Sequence, residues 1–234
     1  MPRQKSSWAI NLLIPGGIQS NKLIRHILLD LDNTLYSVRY GIEDVLFSRV
    51  REFTASYLKI SLEKAVPLQK EGYKRWGSSI RWLMEEKGFR DKDAYFAYLH
   101  PEDEVDMLTP NAALGEFLKA LPCPCSILTN APGFHADRVL KKLELEGIFL
   151  NVFDILGNDL KGKPDPFSYN RALSVIGHKA SDVLFVDDMP HYAEAFIKLG
   201  GRGILIDELD THKDYQHEKI KNLFEIKQIL LPLS

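Results

Sequence analysis

The sequence predicts an α/β fold: a doubly wound parallel sheet with a helical insertion after its first strand. Short, continuous apolar runs alternate with amphipathic helical segments, mainly in the C-terminal half, as in parallel strands covered on both faces. Residues 38–108 instead show helical periodicity without a convincing strand. We therefore predict an α/β core of residues 23–37 and 109–234, a helical cap of residues 38–108, and an N-terminal extension of residues 1–22.

Composition limits the classes of function. A formal net charge of −2 gives no general attraction to a nucleic acid polymer or a membrane, so an anionic ligand needs a local site. Cys123 and Cys125 are too close together to staple a domain, which predicts reduced thiols and leaves a metal or redox role as an alternative. We expect a cytoplasmic protein that binds a small molecule.

The N-terminal segment is basic, but it makes a poor targeting signal. Its apolar stretch "WAINLLIPGGI" is short and is interrupted by Pro15 and two glycines, so it fits neither a signal peptide nor a membrane span. We expect a tail packed on the surface of the core.

The core elements follow in chain order. Predicted strands cover residues 26–32, 125–130, 152–158, 182–188 and 202–207. Predicted helices cover residues 135–147, 167–177 and 193–201, each ending at a glycine suited to a helix C-cap. In the cap we predict helices over residues 42–58, 71–88 and 91–100, and an N-cap at Thr109 with Pro110 in the first turn where the chain re-enters the core. Hinges near residues 36–41 and 108–110 would let the cap close over a site.

The stretch "HILLDLDNTLY" places two carboxylates at the end of an apolar strand. Asp30 and Asp32 are two residues apart, so they share a face at the carboxyl edge of the sheet, where such folds bind ligands. Two adjacent carboxylates repel each other, and a divalent cation relieves that repulsion.

Further polar groups end other strands. Thr129 and Asn130 follow one strand, and Asp187 and Asp188 end another. Lys163 precedes a helix that we expect Asp165 to cap, with Pro166 in its first turn, and its position before Pro164 favours it over Lys161. Carboxylates, a hydroxyl and an ammonium suit Mg²⁺ and a phosphoryl group.

The motifs "DLDNTLY", "LTN", the lysine of "KPDP" and "VDD", in this order, resemble the four motifs of the haloacid dehalogenase superfamily of phosphohydrolases. The helical insertion is similar to that superfamily's cap. The resemblance implies that Asp30 is the nucleophile and becomes an aspartyl phosphate, and that Asp32 is the general acid and base while its backbone carbonyl helps to bind Mg²⁺.

The same resemblance implies roles for the other motif residues. Thr129 and Asn130 would bind the phosphoryl oxygens, and Lys163 would neutralise charge on nucleophile and phosphate. Asp188 would bind the metal directly and Asp187 through water. Dehalogenases of the superfamily lack an aspartate two residues after the nucleophile, because a halide leaves without a proton, so Asp32 favours phosphate ester cleavage.

The cap segment "GYKRWGSSIRWLMEEKGF" resembles a subgroup of pyrimidine 5'-nucleotidases. The candidates for contacting the leaving group are therefore Tyr73, Lys74, Trp76 and Arg81. The aromatic residues could equally form the cap core. The chain departs from the subgroup at Trp82, where a glycine is usual, and at Met189 and Tyr192. His135 and His191 lie near the site, and we interpret them as surface or helix-start residues, not ligands.

Three functions remain open at this point. The first is a phosphatase for a pyrimidine nucleoside monophosphate. The second is a phosphatase for another small metabolite, such as phosphoglycolate or a sugar phosphate. The third is a binding protein that keeps the fold without turnover.

Overall fold

The structure, a computed structural model, describes residues 23–230, so the predicted N-terminal tail lies outside the described residues. Among residues 23–230, no helix is both long enough and apolar enough to cross a bilayer.

A parallel sheet forms the centre of the molecule and confirms the predicted fold class. Its strands are arranged in the order β3-β2-β1-β4-β5-β6, and every neighbouring pair is parallel. The described strands are β1 (His26–Leu29), β2 (Cys125–Leu128), β3 (Val152–Phe153), β4 (Val183–Asp187), β5 (Arg202–Ile206) and β6 (Lys219–Ile220).

The strand order places a crevice at the carboxyl end of β1. The chain proceeds from β1 to β2 on one side of the sheet and later returns to β4 on the other side. Ligands bind open α/β sheets at such a switch point, because the connections on its two sides run in opposite directions.

Two strands differ most from the prediction. The segment 152–158 forms a strand of only two residues. The strand ends there because the Asp154 carboxylate accepts hydrogen bonds from the backbone N–H groups of Gly133 and Gly157, and the chain turns. Strand β6 was not predicted, since two residues are too few to show a period.

Helices cover both faces of the sheet. Ile27 and Leu29 of β1 point towards one apolar core, and Leu28 points towards the other, as the period of two in a strand requires. The helices outside the insertion are α5 (Ala112–Lys119), α6 (Gly133–Lys142), α7 (Pro166–Ile176), α8 (Pro190–Lys198) and α9 (Ile226–Leu230). The first core contains residues of α5, α6 and α9, and the second contains residues of α7 and α8.

The helices of the insertion pack around a third apolar core, which also includes Ile155 from the segment after β3. They are α1 (Ile42–Leu58), α2 (Leu62–Trp76), α3 (Ser79–Lys87) and α4 (Lys92–Leu99). The predicted helix over 71–88 is divided in two, because Gly77 takes a left-handed φ of 74° and the Ser78 hydroxyl caps α3.

Two predicted N-caps have different outcomes. Asp165 caps α7 by accepting a hydrogen bond from the Phe167 N–H, as predicted. Thr109 does not cap α5, because Asn111 does so. The Thr109 hydroxyl instead lies 2.9 Å from the Tyr40 hydroxyl, so the two ends of the insertion meet there.

The predicted glycine caps hold for one helix and nearly for another. Gly177 is the left-handed C-cap of α7, and Gly200 follows the last turn of α8 with a φ of 85°. Helix α6 ends at Lys142, with Leu143 as its C-cap, several residues before Gly147.

Candidate active site

Asp30 lies at the switch point and is almost completely buried. It directly follows β1, its N–H donates to the Val186 carbonyl at 2.9 Å, and the residue is 6% exposed. Its Oδ1 atom accepts a hydrogen bond from Lys163 Nζ at 2.6 Å, and the same ammonium donates to Asp187 Oδ2 at 2.6 Å. Lys163 therefore joins the carboxyl ends of β1 and β4.

The backbone of Lys163 is held by the side chain of Asn130. Asn130 Oδ1 accepts from the Lys163 N–H at 2.7 Å, and its Nδ2 donates to the Lys163 carbonyl at 2.9 Å. A Cβ on Gly162 would lie 2.3 Å from Asn130 Oδ1, so a glycine is needed beside this clamp. Lys161 lies apart from the buried carboxylates, with its ammonium 4.7 Å from the Phe167 ring centre.

The carboxylates near Lys163 carry more negative charge than one ammonium can balance. Burial raises the pKa of Asp30 well above its usual value, although Lys163 opposes that shift. Burial and the Asp187 charge raise the pKa of Asp188 to about 8. Oxygen atoms of Asp30, Asp187 and Asp188 lie within 4.8 Å of one another. A set of carboxylate oxygens with excess negative charge fits a hard divalent cation such as Mg²⁺.

Asp187 and Asp188 are bound differently. Both oxygens of Asp187 already accept hydrogen bonds, Oδ1 from the Met189 N–H at 2.8 Å and Oδ2 from Lys163. Asp188 lines the cavity described below, and its Oδ2 accepts from Asn33 Nδ2 at 3.2 Å. This arrangement makes Asp188 the more accessible ligand for a metal.

One oxygen of Asp32 is fixed by two donors. Oδ1 accepts from the Tyr36 hydroxyl at 2.6 Å and from His135 Nε2 at 2.8 Å, whereas Oδ2 has no hydrogen bond with residues 23–230. Burial alone would raise the pKa of Asp32, but the charge and hydrogen bond of His135 outweigh it and lower that pKa.

His135 is buried, which corrects its interpretation as a surface residue. It does lie in the first turn of α6, but it is 1% exposed, and its second nitrogen, Nδ1, lies 2.6 Å from Glu104 Oε1. Burial alone would lower the pKa of His135, but the charges and hydrogen bonds of Asp32 and Glu104 raise it to about 10. His135 is therefore an imidazolium that donates to a carboxylate on each side.

Glu104 and His100 continue this series of hydrogen bonds. Glu104 Oε2 lies 2.9 Å from His100 Nδ1, and both side chains are buried. The cluster could share a metal, but both oxygens of Glu104 and both ring nitrogens of His135 already have partners, so it is complete without one. Sequence reasoning missed Glu104 and Tyr36. A usable signal for His135 was its place four residues before the buried Val139 on α6.

Thr129 follows β2 and faces the same crevice. Its Oγ1 accepts from the Ala131 N–H at 3.0 Å, which leaves the hydroxyl proton available to a phosphoryl oxygen. The hydroxyl of Tyr192 accepts from Asn130 Nδ2 at 3.1 Å and lies 3.1 Å from the Tyr73 hydroxyl on α2. These contacts connect the cap to the clamp around Lys163.

A cavity of about 430 Å³ lies between cap and core, and it is lined by Asp30, Asp32, Thr129, Asn130, Lys163 and Asp188. Beyond these polar residues, the cavity extends under the cap along a mainly apolar wall. This wall includes Leu46, Val50, Ile80, Phe96, Leu99 and Ile155.

Of the predicted cap contacts, only Tyr73 lines the cavity. Lys74 is the next residue on α2 and is exposed, because one residue turns a helix by about 100°. Trp76 donates through Nε1 to Glu86 at 2.7 Å, and Arg81 lies 3.6 Å from the Asp165 carboxylate. The structure therefore places Lys74, Trp76 and Arg81 outside the cavity.

The departures from the nucleotidase pattern also have structural explanations. Trp82 is 1% exposed and packs where Gly72 leaves space, because a Cβ at Gly72 would lie 2.2 Å from its ring. Met189 and Tyr192 line the cavity, together with His191. The Tyr192 ring centre lies 5.1 Å from Lys163 Nζ, so it packs against the lysine.

Comparison with solved structures supports the fold. A HAD phosphatase from Thermococcus onnurineus is 19% identical with a TM-score of 0.58, and the match covers 88% of this chain and 98% of that one. An L-2-haloacid dehalogenase from Xanthobacter autotrophicus is 15% identical with a TM-score of 0.60, covering 91% of this chain and 100% of that one. A HAD-hydrolase from Bacillus subtilis, solved bound to magnesium, is 16% identical with a TM-score of 0.55, covering 89% and 99%. At these identities the similarity establishes the fold alone.

The family is established by the sequence itself. The haloacid dehalogenase-like hydrolase family matches residues 24–200, which include every motif residue described above and most of the chain. The chain therefore belongs to the haloacid dehalogenase-like hydrolase family.

Proposed function

We propose that the protein is a magnesium-dependent phosphomonoesterase that hydrolyses a small cytoplasmic phosphate ester through an aspartyl-phosphate intermediate. One observation carries the proposal: Asp30 and Asp32 line the same cavity, and one carboxylate oxygen of Asp32 has no hydrogen-bond partner among residues 23–230. A nucleophile and a proton carrier on one cavity suit the cleavage of an ester whose leaving group needs a proton.

In the first step, a carboxylate oxygen of Asp30 attacks phosphorus and the bond from phosphorus to the leaving oxygen breaks. Asp32 Oδ2 gives its proton to that oxygen, so the leaving group departs as an alcohol. The negative charge of the incoming phosphate raises the pKa of Asp32, which favours the protonated form needed here. Thr129 and Lys163 stabilise the charge on the phosphoryl oxygens.

In the second step, water attacks phosphorus of the aspartyl phosphate. Asp32, now a carboxylate, takes a proton from the water, and the bond from phosphorus to Asp30 breaks to release phosphate. The ion pair with His135 suits this step, because it favours the ionised form of Asp32 once its proton has gone to the leaving group.

The residues that would hold Mg²⁺ are Asp30, Asp188 and the Asp32 backbone carbonyl, with Asp187 acting through water. The ion would supply positive charge between nucleophile and phosphate, which otherwise repel each other.

Solved structures of this fold include both phosphatases and haloacid dehalogenases. The presence of Asp32 favours the phosphatase reaction, because a halide leaves without a proton.

The leaving group is the less constrained part of the proposal. A pyrimidine nucleoside 5'-monophosphate is one candidate, since a flat base could pack against the apolar wall and Tyr73. With Lys74, Trp76 and Arg81 outside the cavity, that candidate has less support than the cap motif suggested. Another small phosphorylated metabolite is the alternative, and the apolar wall favours one with an apolar or planar leaving group.

The test is release of inorganic phosphate with Mg²⁺ across nucleoside monophosphates, phosphoglycolate, sugar phosphates and aryl phosphates. Asp30→Asn serves as the inactive variant and Asp214→Asn, at an exposed residue, as the matched control. We expect turnover in the wild type and the control and its loss in Asp30→Asn.

Other outcomes would contradict the proposal. Full turnover in Asp30→Asn would show that Asp30 is not the nucleophile, and turnover insensitive to chelation would show that the reaction does not need a metal ion. Release of halide from 2-chloropropionate without phosphatase activity would favour a dehalogenase, and binding without any turnover would favour a binding protein.

A further inference from the structure

We infer that His135, held by Glu104 and His100, is a positioning residue for Asp32. These hydrogen-bonded side chains link the orientation of the general acid to the segment that returns from the cap. The inference rests on the proposed function. It concerns residues to which the motifs give no role.

The hydrogen bonds to Asp32 are one-sided. Tyr36 and His135 both donate to Oδ1, at 2.6 Å and 2.8 Å, and no residue within 23–230 donates to Oδ2. Two donors on one oxygen fix the plane of the carboxyl group and leave the other oxygen free to exchange a proton with the leaving group. Proton transfer needs hydrogen-bond reach, so a carboxyl group free to rotate would often present the wrong oxygen.

His135 is itself held in place from its other side. Glu104 Oε1 lies 2.6 Å from its Nδ1, and the remaining oxygen of Glu104 lies 2.9 Å from His100 Nδ1. The two imidazole rings lie with centroids 4.5 Å apart. All three side chains are at most 6% exposed, so water competes little for these contacts.

The hydrogen-bonded side chains extend from the core to the end of the cap. His135 lies on α6 of the core, whereas His100 and Glu104 lie between α4 and the point where the chain re-enters the core. Arg138, one turn after His135, donates to the His100 and Pro101 carbonyls at 2.9 Å and 3.2 Å. Helix α6 therefore holds this returning segment at two points, and a displacement of Glu104 would release His135 and, through it, Asp32.

A leaving-group comparison separates positioning from a general structural role. An aryl phosphate with a nitro-substituted phenol needs little help from a general acid, whereas an alkyl phosphate needs a proton. In His135→Ala, we expect kcat/KM for an alkyl phosphate to fall by about 30-fold or more, a large part of the roughly 10²–10⁴-fold that a general acid contributes. For p-nitrophenyl phosphate we expect kcat/KM to fall by less than about 3-fold, because kcat/KM reports the steps up to departure of the phenol, and that departure needs little help from Asp32.

A double-mutant cycle tests whether His135 acts through Asp32. In an Asp32→Asn background, His135→Ala should cause no further loss with the alkyl phosphate, because the group that it positions is gone. His26→Gln is the matched control: His26 is also a buried imidazole, but it lies at the opposite end of β1, so its substitution should leave the ratio between the two substrates unchanged.

Milder variants keep the inference testable if His135→Ala fails to fold. Glu104→Gln loses one of the two carboxylate acceptors, and Tyr36→Phe loses only the hydroxyl, so each should reduce kcat/KM for the alkyl ester more than kcat/KM for the aryl ester. Equal losses with both esters, or a further loss in the Asp32→Asn background, would overturn the inference. Failure of the proposed function is distinguishable, since the wild type would then hydrolyse neither ester or Asp30→Asn would retain turnover.

Discussion

Replacement of Lys163 by methionine should destabilise the protein strongly, because it leaves a cluster of buried carboxylates without their cation. The side chain of Lys163 is 1% exposed, and its ammonium lies 2.6 Å from both Asp30 and Asp187, whose side chains are 9% and 0% exposed. Removing one partner from a buried ion pair typically costs about 3–5 kcal/mol, most of it from the charge left unpaired. For a chain of 234 residues, this corresponds to a fall in Tm of roughly 10 °C.

The assay is thermal and urea unfolding of chelator-treated protein, so that no divalent cation replaces the lost charge. Lys161→Met is the matched control, and it should cost less than about 0.5 kcal/mol, because the Lys161 ammonium lies over a partly buried ring and forms no ion pair within residues 23–230. The double variant Asp30→Asn/Lys163→Met should recover at least about 1 kcal/mol, since one of the unpaired charges is then removed. Equal stability of the Lys163 and Lys161 variants, or additive losses in the double variant, would refute the reasoning.

Three further predictions concern packing, pH and the metal. Gly72→Ala should lower the free energy of unfolding by about 1–3 kcal/mol, because its Cβ would overlap the Trp82 ring. Gly115→Ala should instead raise the free energy of unfolding by about 1 kcal/mol, because its Cβ would meet only contacts of 3.5 Å or more. Urea unfolding measures both. Burial, together with His178, lowers the pKa of His26 to about 4, so the unfolded chain binds a proton at this histidine first as pH falls below about 6.5. The free energy of unfolding should therefore fall by up to about 3 kcal/mol between pH 6.5 and pH 4. In His26→Gln, the profile of stability against pH should be flatter. Mg²⁺ should raise the Tm of the wild type, and Asp188→Asn should reduce that rise at least several-fold, whereas an equal rise in both would remove Asp188 as a ligand.

The sequence was sufficient for the features that depend on local pattern. Continuous apolar runs located the strands around the site, and parallel strands place their carboxyl ends at one edge, so Asp30, Thr129 and Asp187 were expected to meet there. Strand β3 was predicted too long, because the apolar run after Phe153 folds into a turn held by the Asp154 side chain.

The sequence was insufficient where a role depends on contacts between distant segments. His135 and Glu104 are 31 residues apart and belong to different elements, so no spacing indicates that they bond. In the cap, Tyr73 and Lys74 looked equivalent as candidates, but adjacent residues of a helix point in different directions. Trp82 likewise suggested a reshaped pocket, although its bulk is accommodated by Gly72.

The most direct test of the central claim is identification of the phosphorylated residue. Wild-type protein turning over its best substrate with Mg²⁺ would be quenched rapidly in acid, digested and analysed by mass spectrometry. The account predicts an acyl phosphate on Asp30 in the wild type and none in Asp30→Asn. A phosphoryl group on another residue, such as a histidine near the cavity, or continued turnover by Asp30→Asn, would contradict it.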